Sequence, residues 1–401
     1  MNLISKSNLL TYLVFFYVLS YALGPAIINI YVTLLSIFGL FFLIKNKKIS
    51  FLKIDLFFTL IIFYILIKEI LISNFNYDFF SFLRFYIIFI SINYFFIDYK
   101  INLWPIFFIV ILISFDGLYQ YFNNTNILGF SKYENYRLTG VFDDEPIIGS
   151  FLMKFFFPLF FATSILFIKE YKKIILYFFL FLIFLTVVIS GERMPSIQII
   201  IGSFFLILVT VKKTNTKLLL IFFLGVSIVT SYLFFNDVIK NRMNSTAQEL
   251  ITIGKNFNNI DNFEQFGSLK NYIYNFKSGI ELWNNNPLFG GGYRFYNTNC
   301  SKIIEDEVIL RGCSTHPHNI YIEIMSDHGL VGLFLFILFF LSILRKYIYF
   351  NNPNLGILTT FLILVFPFFT SQSIFSSYFG SIFFFFIFLM KLSSVNSKRA
   401  N

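Results

Sequence analysis

Twelve long apolar runs, near residues 8–24, 27–44, 54–72, 78–97, 103–121, 147–168, 174–191, 195–211, 218–235, 329–344, 355–371 and 375–391, dominate the pattern of this chain. Each is close to the length a helix needs to cross the roughly 30 Å hydrocarbon layer of a bilayer. A backbone surrounded by lipid must satisfy its own hydrogen bonds, and a helix does so within one segment. The pattern predicts an all-α, polytopic integral membrane protein of about twelve transmembrane helices, forming a single membrane domain over 1–401. Two polar stretches interrupt it. The shorter, 122–145, joins the fifth and sixth spans. The longer, 236–317, precedes the tenth and is too long for an idle connection. Within it, Tyr272, Phe276, Ile280 and Trp283 recur at helical spacing over 268–286, which predicts an amphipathic helix lying on the membrane surface. Pro287 and Gly290-Gly291-Gly292 then stop that helix.

Composition excludes a soluble domain: 57% of residues are hydrophobic and only 13% charged. The formal charge of +10 would suggest nucleic acid in a soluble protein, but its distribution points elsewhere. Lys6, Lys45, Lys47, Lys48, Lys53, Lys100, Lys169, Lys172, Lys173, Lys212, Lys213, Lys217, Arg345, Lys346, Lys391, Lys398 and Arg399 all fall on one side of the twelve-span arrangement. Asp55, Asp98 and Glu170 are the few acids there. This positive-inside pattern places both termini in the cytoplasm and both long loops on the opposite, extracytoplasmic side. The basicity reflects membrane lipids as partner, not nucleic acid. Ala22-Leu23-Gly24 resembles a signal-cleavage site, but Pro25 would follow the cut, and losing the first span would break the charge parity.

Ionisable residues inside spans are costly and usually face a bundle interior or a wet cavity. Here Lys68, Glu69, Arg84, Asp116, Lys154, Glu192 and Arg193 all lie within about 12 Å of the outer face, at roughly 1.5 Å per helical residue. Arg84 and Asp116 could pair as a structural bridge. Alternatively Arg193, Arg84, Lys68 and Lys154 line a cationic pocket suited to a diphosphate, which the planar arginine fork matches.

His316, His318 and His328 are the only histidines of the chain. They cluster where the long loop meets the tenth span, and imidazole titrates nearer neutrality than any other side chain. They either carry chemistry or cap a helix at the interface, the latter being the reading for His328. Cys300 and Cys313, the only cysteines, share the loop. They are a disulfide candidate if the loop is periplasmic; free thiols, or a zinc site with His316 and His318, are the alternatives. No internal repeat and no nucleotide motif is present.

Four segments resemble the O-antigen ligase and O-antigen polymerase superfamily of bacterial membrane glycosyltransferases. They are Arg137-Leu138-Thr139-Gly140-Val141-Phe142-Asp143-Asp144-Glu145, Ser190-Gly191-Glu192-Arg193, Asn286-Pro287-Leu288-Phe289-Gly290-Gly291-Gly292 with Phe295, and Cys313-Ser314-Thr315-His316-Pro317-His318-Asn319 through Gly332. The core of the likeness spans about 130–345. The resemblance implies transfer of a glycan from an undecaprenyl diphosphate carrier to an acceptor sugar hydroxyl, on an acceptor glycan or a lipid A core, at the periplasmic face. It implies no metal, cofactor or nucleotide sugar. By position His318 resembles the family's catalytic histidine and Arg193 its diphosphate-handling arginine. The family's second arginine has Lys270, Arg242 and Arg294 as candidate counterparts. Arg137, Arg84, Lys68, Lys154, His316 and Asn319 complete the expected substrate-binding set.

A polysaccharide or lipid-linked oligosaccharide flippase is the rival class. It calls for polar residues spread along a path across the membrane, whereas here they crowd one face. A non-catalytic scaffold gives no role to a histidine cluster opposite intramembrane arginine.

Overall fold

A computed structural model describes residues 3–45, 53–71, 76–95, 103–166, 170–210, 214–233, 235, 237–255, 269–347 and 355–393. Lys47, Lys48, Lys100, Lys169, Lys212, Lys213, Lys398, Arg399, Asp98 and Ser268 lie outside these residues. The described chain is helical, without a named strand. In order the helices are α1 (Leu3–Ala22), α2 (Pro25–Lys45), α3 (Lys53–Leu71), α4 (Phe79–Phe95), α5 (Trp104–Asn123), α6 (Ile148–Leu166), α7 (Glu170–Ile189) and α8 (Arg193–Thr210). They continue with α9 (Thr214–Leu233), α10 (Asp237–Lys255), α11 (Lys270–Asn285), α12 (Phe295–Ile303), α13 (Glu307–Leu310), α14 (Ile320–Tyr347), α15 (Leu355–Leu364) and α16 (Ser377–Ser393). Each of the twelve apolar runs thus has a helix.

Among the described residues α2, α5 and α14 are long and apolar enough to cross a membrane, while the apolar parts of α1, α4, α6, α7, α8, α15 and α16 are shorter. The eleventh run departs furthest from its expected extent. Its helix ends at Leu364, and the following backbone turns back toward the start of α14, where the Pro367 carbonyl accepts a bond from Asn319 at 2.8 Å.

Phenylalanine fills the centre. Phe58 of α3 packs against Phe339 of α14 at 5.0 Å and Phe384 of α16 at 5.4 Å between ring centroids. Two cations, Lys391 buried and Arg84 half-buried, brace this apolar mass. Lys391 pairs with Asp55 at 2.6 Å and also donates to the Phe89 carbonyl, tying α16 to α3 and α4. Arg84 donates to the Ser81 and Asn29 carbonyls, to the Asn29 side-chain oxygen and to the hydroxyls of Thr33 and Ser377. The structure therefore does not pair Arg84 with Asp116. Asp116 instead accepts from the Ile127 amide at 2.9 Å and from Asn126 at 3.2 Å. With Gln120, which bonds the Thr139 and Gly140 amides, it folds the 124–140 loop back onto the outer end of α5.

The tenth span begins earlier than its apolar run suggests and is broken inside. Asn319 opens α14: its side-chain oxygen accepts the Tyr321 and Ile322 amides at 3.0 and 3.2 Å, satisfying two of the donors that every helix start leaves over. At Gly329 (φ 65°, ψ −168°) the helix breaks. The segment after α11 repairs the break by exchange. In an unbroken helix Leu330 and Val331 would donate to Ser326 and Asp327. Here those two carbonyls accept from Gly291 and Gly292 at 3.0 and 2.8 Å, while Leu330 and Val331 donate to Pro287 and Leu288 at 2.9 and 3.1 Å. Gly290 (φ 68°) and Gly329 lie backbone to backbone: a Cβ on Gly290 would come within 2.5 Å of the Gly329 amide nitrogen. Non-helical backbone at membrane depth is tolerated where protein groups replace the lost bonds.

Lys68 is part of this repair. Its ammonium donates to the Phe289 carbonyl and, at 2.7 Å, to the Asp327 carbonyl. It is a structural brace at the helix break, not an open anion contact. Glu69 beside it accepts from the Tyr293 amide at 2.6 Å.

Candidate active site

Three segments distant in sequence meet around one tyrosine. Pro317 leads the chain into His318, which holds a left-handed backbone conformation (φ 54°) that costs a non-glycine residue on the order of 1 kcal/mol. The neighbouring loop holds it there, since the Ser371 amide donates to the His318 carbonyl at 2.9 Å. The His318 ring meets the Tyr272 ring edge-on at 5.5 Å. Tyr272, in the first turn of α11, also acts electrostatically on Arg193, as do Arg242, Glu249 and Tyr136. Tyr136 in turn accepts a hydrogen bond from Arg242, whose guanidinium lies over the Tyr136 ring at 5.0 Å.

The turn between α7 and α8 delivers Arg193 to this place. Ser190 accepts the Leu138 amide through its carbonyl at 3.0 Å, which docks Tyr136-Arg137-Leu138 beside the turn. Gly191 (φ 80°) holds a left-handed backbone that disfavours a side chain, and a Cβ there would come within 3.2 Å of the Arg137 side chain. Glu192 accepts the Gly149 amide at 2.5 Å and the Ser150 amide at 3.2 Å. Arg137 also lies over the Tyr133 ring at 5.6 Å. Burial pushes the Glu192 carboxyl up to about 7, opposed by Arg137, by the two amides and by Lys154.

The two loop histidines adjoin, with ring centroids 4.2 Å apart. Burial holds the His318 imidazole below its ordinary value of 6.5. Burial first, and the His318 ring second, push His316 down to about 3, against the Ser371 backbone. His316 Nδ1 lies 2.9 Å from the Thr315 hydroxyl. No hydrogen bond among the described residues engages the His318 ring. A neutral imidazole whose ring makes no hydrogen bond among the described residues can accept a proton.

The four-cation pocket expected from sequence is not what the structure assembles. Arg193 is in the cluster, but Arg84 and Lys68 brace helices elsewhere, and Lys154 bonds Ser150 at 2.8 Å behind Glu192. Arg242 supplies the second guanidinium instead, with Arg137 next to the turn. Of the other candidates, Lys270 starts α11 two residues before Tyr272, and Arg294 pairs with Asp78 at 2.8 Å. Asn319 is committed to capping α14. His328 is not an interfacial residue. It is fully buried, packed among Tyr64, Tyr293, Phe336 and Phe375.

Cys300 and Cys313 form a disulfide that closes α12 and α13 over α11. With both sulfurs joined, the alternative zinc site has lost half its ligands. Among the described residues no group of three His, Cys, Asp or Glu is placed to hold a metal ion.

Residues 178–337 match the family model described as O-antigen ligase. Over that stretch, somewhat less than half of its length, the chain is similar to the O-antigen ligase family. The matched stretch holds Arg193, Arg242, Tyr272, the disulfide and the histidine segment, whereas Tyr136 and Arg137 precede it. No curated protein matches the chain. The match supports ligase- or polymerase-type glycan transfer in general terms and, with the apolar helices, a membrane protein.

Tyr272 and Tyr136 are the residues sequence reasoning passed over. Tyr272 is visible there only as one position of an apolar stripe. Tyr136 stands one residue before a segment already singled out.

Proposed function

We propose that the chain transfers a glycan from an undecaprenyl diphosphate carrier to a sugar hydroxyl, on an acceptor glycan or a lipid A core, at the periplasmic face of a bacterial inner membrane. One observation carries this reading: Tyr272 meets the His318 ring at 5.5 Å and also interacts electrostatically with Arg193, on which Arg242 acts as well. Neutral His318 takes the proton of the acceptor hydroxyl as a general base. The hydroxyl oxygen forms its bond to the anomeric carbon as the bond from that carbon to the diphosphate oxygen breaks. The departing diphosphate keeps the electron pair, and Arg193 with Arg242 stabilises the charge that develops on it. Attack opposite the leaving group inverts the anomeric centre. The step uses no metal.

The test is glycan transfer by purified protein in detergent, with EDTA present. His318→Ala should lower turnover by roughly 10²–10⁴, the usual contribution of a general base, while leaving the protein folded. Arg193→Lys should also be severely impaired, because a compact ammonium cannot reproduce a bidentate phosphate contact. Near-normal turnover by His318→Ala, or loss of wild-type activity in EDTA, refutes the mechanism. Flipping of the carrier without transfer would favour the transporter reading. Lipopolysaccharide from a deletion strain separates the two transfer types: a single-repeat product indicates a polymerase, and unligated carrier-bound glycan a ligase.

A further inference from the structure

We infer that Glu192 is a positioning residue for the anion-binding arginines, acting by clamping the α7–α8 turn onto the N-terminus of α6. This deepens the reading above and rests on it.

Glu192 immediately precedes Arg193 and is 7% exposed. Its Oε1 accepts the Gly149 amide at 2.5 Å, and its Oε2 accepts the Ser150 amide at 3.2 Å. These are among the first amides of α6, which have no partner inside their own helix, and an acidic group is favoured at that helix end. The approach is close because position 149 is glycine: a Cβ there would lie 2.8 Å from Oε1. The backbone of Glu192 is held as well. Its amide donates to the Ser190 hydroxyl at 3.3 Å, and its carbonyl accepts the Ser196 hydroxyl at 2.8 Å. Arg137 and Lys154 are the cations facing its carboxyl. The same turn docks the Tyr136-Arg137-Leu138 segment through Ser190. Tyr136 accepts from Arg242. One carboxylate thus fixes the turn that carries Arg193 and, through the docked segment, the tyrosine that orients Arg242. It touches neither the histidines nor Tyr272 by any hydrogen bond among the described residues, so its influence is on anion binding and not on proton transfer.

The experiment measures affinity of the purified full chain for undecaprenyl diphosphate and for undecaprenol, which lacks the diphosphate. The ratio of the two dissociation constants reports diphosphate recognition alone. Glu192→Ala should lower the diphosphate preference about tenfold without changing undecaprenol affinity. Glu192→Gln, which keeps an oxygen for the two amides, should restore the preference to within about threefold of wild type. Gly149→Ala, whose Cβ would press on the Ser190 hydroxyl and on the Glu192 carboxylate of the same turn, should resemble Glu192→Ala and serves if that variant does not fold. Unchanged preference in both Ala variants, equal weakening for both lipids, or a Gln variant no better than Ala overturns the inference. Failure of the wild type to prefer the diphosphate overturns the underlying functional reading instead.

Discussion

Burial moves both loop histidines in the same direction, and the sign has a kinetic consequence. A general base must be unprotonated to act. Because burial lowers His318 below 6.5, the residue stays neutral into mildly acidic solution, and protonation removes activity only at still lower pH. The acid limb of kcat/KM should therefore fall below pH 6.5. A limb above 7 would contradict the burial seen here. His328 makes a second case. Enclosed by four aromatic rings and fully buried, it should on truncation to alanine leave a cavity costing on the order of 2–4 kcal/mol. A clear drop in melting temperature of the detergent-solubilised protein would check this. At this scale the sequence singles out His318 and Arg193 by residue type and motif. It groups Arg193, Arg84, Lys68 and Lys154 in one pocket, whereas Lys68, Arg84 and Lys154 are bonded elsewhere. Lys68 and Arg193 look alike in a list of intramembrane charges, and only folding reveals that the Lys68 ammonium is spent on the carbonyls of Phe289 and Asp327.

The element that most shapes the site is the broken helix α14. Its first part ends at Gly329, whose left-handed φ and direct backbone contact with the 288–290 segment leave no space for a side chain. Gly329→Ala should sharply reduce the yield of folded protein. Asn319→Ala, which removes a cap and its bond to Pro367, should cost about 1 kcal/mol and leave folded protein recoverable. Size-exclusion profiles and thermal unfolding distinguish the two outcomes. Helix existence was readable from apolar runs because a lipid-exposed backbone has so few alternatives. The start of α14 was not, since Glu323, Ser326, Asp327 and His328 make its first turns look like loop. They are buried polar residues, and no periodicity in the chain announces that another segment will cover them.

For the whole molecule the open quantity is orientation. Lysine and arginine distribution assigns the ends of the chain to the cytoplasm and the histidine-bearing loop to the periplasm. Reporter fusions after Lys213 and after Asn262 should therefore give opposite signals, cytoplasmic and periplasmic, and identical signals would refute the arrangement. The family match over 178–337 starts within α7 and ends within α14, so it omits the α5–α6 loop that brings Tyr136 and Arg137 to the turn. The hydrogen-bond exchange between 287–292 and 326–331 also restricts how such proteins can be recombined. Neither partner keeps its backbone satisfied without the other, and glycine must face glycine where they cross. A chimera that imports a foreign loop 236–317 while retaining the native α14 would carry mismatched halves of one joint. Swaps made to transfer acceptor preference should take both segments as a single cassette, with junctions before α11 and after Gly332.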